Sequence, residues 1–167
     1  MEFQFNAVRE ANRAYKDLFD AGWGQFNHEV RMARPEPHLE RLKEKHRELD
    51  ALKSAQRKAN IEALAVGQMN CLLFVTSTQE HWQRLVSRFE MAFRSKSLWD
   101  KFEMLESMKE DRSKFLRAAG QEIGLPYREL IPEDPEGREC RRAETLKSLE
   151  EIEPRDGPKP PNQTGRN

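Results

Sequence analysis

The chain has 167 residues, 35% of them charged and 37% hydrophobic, and its 29 basic and 29 acidic side chains cancel. That length suits one domain with a modest core, and the charge balance excludes a global field that would recruit nucleic acid or an anionic membrane. Cys71 and Cys140 form no Cys-x-x-Cys pair, and the opening Met-Glu-Phe-Gln-Phe-Asn lacks the basic start and apolar stretch of a secretory signal, so a reducing cytoplasm is the expected setting.

Val8, Ala11, Tyr15, Leu18, Phe19, Gly22, Phe26, Val30 and Ala33 recur at intervals of three and four, which predicts a helix from about Asn6 to Arg34 with one buried face. Gly22-Trp23-Gly24 interrupts it and predicts a bend, a stop or a close approach of a second backbone, with Trp23 packed on the core. The clear break is Arg34-Pro35-Glu36-Pro37, because proline removes a backbone donor and excludes helical geometry from the residue before it.

A second helix is expected from about His38. Between 38 and 60, 11 of 23 residues are charged, and Leu39, Leu42, Leu49 and Leu52 with His46 leave only a narrow apolar seam. A seam of that width packs on one partner helix, and over barely two heptads it suggests a short coiled coil. Leu39, Leu42, Leu49 and Leu52 are therefore the candidate partner-binding residues, for a protein partner or for a second copy in a homodimer. Acid-to-base pairs three apart, such as Glu40 with Lys43, decorate the solvent side.

Residues 63 to 79 then run 17 positions without a charge. This abrupt change predicts a buried continuation through Leu64, Met69, Leu72 and Leu73 that forms the centre of the fold, with Cys71 as a buried reduced thiol. Its polar members, among them Gln68 and Asn70, argue against a bilayer span, so membrane association is not expected. Ser77-Thr-Gln-Glu80 fits a capping box that opens a third helix carrying Trp82, Leu85, Val86, Phe89 and Phe93. After Ser95-Lys-Ser97, a further amphipathic stretch with Leu98, Phe102, Leu105, Phe115 and Leu116 is expected to end in a left-handed cap at Gly120 or Gly124.

The last 36 residues hold six of the nine prolines and no aromatic residue. They predict a mostly disordered tail over 131–167, with one short charged helix at 138–152, behind a helical domain over 1–130. The fold class is thus all-α: a small helical bundle with a long, partly charged helix and a disordered C-terminal tail.

No constellation carries chemistry. The four histidines, at 28, 38, 46 and 81, have no partner at the spacing that sets two imidazoles on one metal from one helix face, so no metal is expected. No cofactor motif and no nucleophile on a sharp turn occurs, so the chain is not expected to be an enzyme. Ala119 to Leu125 with Leu130 has the spacing of a helix-turn-helix, but Pro132 would stop its recognition helix after one turn. Arg155 with Pro158, Pro160 and Pro161 has the spacing of a polyproline ligand in a tail whose composition produces such spacings. The expected function is a non-catalytic adaptor, assembly factor or regulatory subunit that presents amphipathic helices to a protein partner. The alternative is a nucleic-acid-associated accessory protein that uses Arg57, Lys58, Arg94, Lys96, Arg138, Arg141 and Arg142.

Overall fold

The computed structural model describes residues 2–125 and 136–154, and for 136–141 the backbone alone. It contains α1 (Glu2–Met32), α2 (Leu39–Asn70), α3 (Thr76–Arg94), α4 (Leu98–Ile123) and α5 (Glu136–Ile152), with no strand among the described residues. The first four helices run up, down, up and down, the arrangement that short connections impose on successive helices. Cross-contacts fix the register: Gln4 meets Leu73, and His28 meets Lys45, across α1 and α2. Thr78 meets Glu122, and Arg88 meets Asp111, across α3 and α4.

Each boundary has a local cause. Pro35 and Pro37 separate α1 from α2, as their chemistry requires. Ser97 accepts a hydrogen bond from the Asp100 amide at 3.3 Å and caps α4. At the other end Gly124 takes φ 71°. The Leu125 amide then reaches the Gly120 carbonyl at 2.9 Å and the Gly124 amide reaches Gln121, the paired bonds of a Schellman ending. The start of α3 departs from expectation. Its N-cap is Val75, two residues before the proposed Ser77, and it makes no side-chain cap. Instead Glu122 of α4 accepts from the Val75 amide at 3.1 Å and from the Thr78 hydroxyl, placing a carboxylate at the positive end of α3.

The core is built by α1, α3 and α4. Leu18, Phe26, Leu85, Phe89, Leu105, Met108, Phe115 and Leu116 are fully buried, and burial of each such side chain contributes about 1.5–3 kcal/mol. Gly22 and Gly24 do not stop α1, which continues through both. Gly22 is needed for space: a Cβ there would lie 2.6 Å from the Phe89 ring and 3.2 Å from Leu105. The close approach is by side chains from the opposite hairpin, not by a second backbone.

The main correction concerns α2. The uncharged run does not form the centre of the fold, because Leu64, Met69 and Leu72 face outward, and of its large apolar side chains Val66, Leu73 and Phe74 turn in. What α2 buries is a line of small residues, Ala59 and Ala63, with Asn70. Those residues let the Trp82 indole approach so closely that its Nε1 donates to the Ala63 carbonyl at 3.1 Å and a Cβ on Gly67 would sit 2.9 Å from the ring. A helix between two neighbours buries one face, and here the small face wins because the aromatic residues of α3 already fill the space. Residues 63 to 79 are also not one helix: α2 ends at Asn70, and a turn precedes α3. Cys71 lies in that turn and is exposed.

The charged half of α2 does not project. It lies along α1, where Leu52 approaches Gly24 and the buried His28 pairs its Nε2 with the Lys45 carbonyl at 2.6 Å. The helical body also extends past 130. Leu149 of α5 is fully buried, Leu146 and Ile152 pack on the core, and Trp99 Nε1 donates to the Glu153 carbonyl at 2.6 Å. The expectations for 131–135 and for the tail from 155 lie outside the described residues, as do Leu130, Pro132 and the polyproline spacing.

Candidate functional site

The outer face of distal α2 is the surface that folding leaves least explained. Ile61 is 67% exposed, Leu64 45%, Met69 53% and Leu72 87%, and Val75 beyond the turn is 57% exposed. Ile61, Leu64 and Ala65 lie on the side of α2 opposite the Ala59–Ala63 line, Met69 flanks them beside the polar Gln68, and Leu72 and Val75 extend this exposed stripe into the turn beyond Asn70. Phe3 and Phe5, also exposed, stand at the same end of the bundle, because Gln4 Nε2 donates to the Leu73 carbonyl at 3.0 Å. Scattered single apolar residues on a surface are ordinary, whereas several gathered on one side of a helix and its turn leave area that burial against a partner would remove from water.

The end of the stripe is held firmly. Gln79 Nε2 donates to the Cys71 carbonyl at 3.1 Å and to the Phe74 carbonyl, and the amides of Leu73 and Phe74 both return to the Asn70 carbonyl. Glu122 fixes Val75 from the far side. A pinned turn carries its side chains in one arrangement, which lowers the entropy lost on docking.

The proposed partner-binding leucines are placed differently. Leu39 is exposed at the start of α2, while Leu42, Leu49 and Leu52 are half-buried, with Leu52 turned toward α1. The basic candidates are dispersed and accompanied by acids. Lys58 lies 4.0 Å from Glu62, Arg94 3.7 Å from Glu90 and Arg142 3.3 Å from Glu106. Arg57 and Lys96 are exposed, and the side chains of Arg138 and Arg141 lie outside the described residues. The basic residues therefore do not form one continuous patch among the described side chains.

Ionic groups lie both along single helices and between them. Lys101 of α4 pairs with Glu29 of α1, and Arg88 of α3 pairs with the buried Asp111 of α4. Lys45 hydrogen-bonds Glu36 at 3.0 Å and holds its carboxyl below the usual value of 4.5, which ties the proline linker to α2. No group of three or more His, Cys, Asp or Glu converges to hold a metal ion among the described residues. No described helix is long and apolar enough to cross a membrane.

The sequence reading assigned Leu64, Met69 and Leu72 to the interior, and all three are exposed. The usable signal was the pairing of small residues at 59, 63 and 67 with large ones on the opposite face. No protein-family model, curated protein or solved structure matches the chain.

Proposed function

We propose that this chain is a non-catalytic protein–protein interaction module, an adaptor or regulatory subunit, whose docking surface is the outer face of distal α2 together with the α2–α3 turn. The partner is a protein that contributes an amphipathic helix or an apolar groove, because the apolar anchors Ile61, Leu64 and Met69 on α2, continued by Leu72 in the turn, suit recognition of an apolar helix face. The observation that carries this reading is the exposure of Ile61, Leu64 and Met69 on the outer side of α2 and of Leu72 in the following turn, which Gln79 and Glu122 pin. Support for docking through Leu42, Leu49 and Leu52 is weaker, since Leu52 already approaches Gly24 of α1 and a homodimer there would have to displace that helix. The nucleic-acid alternative also has less support, because Lys58, Arg94 and Arg142 each stand beside a carboxylate that phosphate would have to outcompete.

The test is affinity capture from the native cell with three full-length baits: the wild-type chain, Leu64→Asp/Leu72→Asp and Leu42→Asp/Leu49→Asp. Both residues of the first variant are exposed, so circular dichroism should show an intact fold. Loss of the captured protein with that variant and its retention at raised salt support the reading. Equal capture by the wild-type and Leu64→Asp/Leu72→Asp chains overturns it.

A further inference from the structure

A groove of about 670 Å³ opens between α1, α4 and α5, and in a chain with no net charge it is lined by six basic side chains against two acidic ones. The basic residues on its α4 and α5 walls are already committed. Lys109 lies 2.6 Å from Glu106 and 5.6 Å above the Phe19 ring, and Arg142 lies 3.3 Å from Glu106. Arg112 donates twice to Asn12 Oδ1, at 3.0 and 2.7 Å, and covers the Tyr15 ring at 4.7 Å. Tyr15 and Phe19 are thus roofed by cations, and what the groove offers a ligand is charge.

The uncommitted charge stands on α1. Arg9, Arg13 and Lys16 are exposed, line the groove and form no ion pair among the described residues, and Arg9 has only the Phe5 ring, 5.9 Å from its guanidinium carbon. Intervals of four and three place the three cations on one face of α1, over a rise of about 10 Å. Asp20, also exposed and on the groove, follows four residues later on the same face, so the order of charge along the rim is three positive groups and then one negative. The groove lies between the antiparallel helices α1 and α4, a channel into which a further helix packs its side chains.

We infer that this groove docks an acidic helix of a protein partner, whose carboxylates, spaced four and three residues apart, meet Arg9, Arg13 and Lys16, and whose next turn brings a basic residue to Asp20. The acids come first in the partner, because anions are favoured in the N-terminal turns of a helix. A polyphosphate backbone carries one sign throughout and would bring a phosphate to Asp20, with Glu10 and Asp17 exposed on the flanks of the same helix. A protein helix changes sign where the rim does, so charge complementarity favours protein over nucleic acid. The surface uses none of the residues at 61–75, and the inference stands apart from the docking of distal α2.

The test is fluorescence anisotropy of labelled probes titrated with the full chain at low salt. The first probe is a helix-forming peptide with glutamates at its first, fifth and eighth positions and a lysine at its twelfth. The others are a peptide of the same composition with those groups scattered round the helix, a charge-inverted peptide and a ten-nucleotide single DNA strand. The expected result is saturable one-to-one binding of the first peptide, weakening as salt rises, with the scattered peptide about tenfold weaker or more. Arg13→Glu/Lys16→Glu, both exposed, should weaken the first peptide by about tenfold or more with an unchanged circular dichroism spectrum, and should acquire binding of the charge-inverted peptide. Asp20→Lys, which alters one pair, should weaken it about two- to threefold. Absence of saturable binding overturns the inference, as do equal affinities for the first and scattered peptides or indifference to Arg13→Glu/Lys16→Glu. Tighter binding of the DNA strand than of the first peptide would assign the groove to nucleic acid and overturn it as well.

Discussion

Leu85 of α3 and Leu64 of α2 are the same side chain on helices that touch, yet one is fully buried and the other is nearly half exposed. In the α3–α4 hairpin, large residues face large residues, and Phe89, Leu105 and Phe115 fill the interior between them. In α2 the interior face is Ala59, Ala63 and Gly67, and the large residues stand opposite. The difference teaches that apolar content does not decide burial. Fit against a neighbour does, and an indole such as Trp82 fits only against a helix face with almost no side chain.

The comparison breaks or sharpens through graded substitutions. Phe89→Ala should cost about 3–5 kcal/mol, because it empties a fully buried site, whereas Leu72→Ala should change stability by less than about 0.5 kcal/mol. Urea denaturation measures both, and equal losses would contradict the assignment of the two faces. Gly22→Ala should destabilise by about 1–3 kcal/mol, since the new methyl would meet the Phe89 ring, and Gly67→Ala should act in the same direction against Trp82. Gly24→Ala should do the reverse and gain about 0.5–1 kcal/mol, because Leu52 at 3.5 Å is an ordinary contact and alanine favours the helix. Thermal unfolding of the three variants gives the signs directly.

The smallest effect expected is one of pH. The hydrogen bond from Lys45, with minor help from the His38 amide, lowers the Glu36 carboxyl below 4.5. A carboxyl lowered by folding stabilises the native state at pH above its unfolded value, and that contribution disappears as pH falls through the lower folded value. Lys45→Met should therefore flatten the stability profile in the acid range and leave the profile near neutral pH parallel to that of the wild type. A wild-type slope retained in the variant would remove this pair from the account.

Much of the architecture was legible because it depends on local chemistry. The apolar stripe from Val8 to Val30, the stop at Pro35 and Pro37, the Ser97 start and the left-handed Gly124 are written in residues that act within one turn of themselves. The orientation of distal α2 was not legible, because a helix apolar on several sides offers no periodicity by which to choose among them. Trp82, on another element, made the choice. The docking of α5 was hidden for the opposite reason. Leu146, Leu149 and Ile152 are too few among charges to stand out, and the Trp99 and Arg34 contacts that hold their helix come from distant parts of the chain.

The clasp between Trp99 and Glu153 makes this indole a built-in gauge for the last helix. Trp99 is shielded at the seam where α5 meets the bundle, and the Leu98 amide is held there by the Glu153 carboxylate at 3.0 Å. Release of α5 would wet that ring and shift its emission to the red, while Trp82, sealed between α2 and α3, would keep its colour. Departure of one helix can thus be told from melting of the whole protein by its own light.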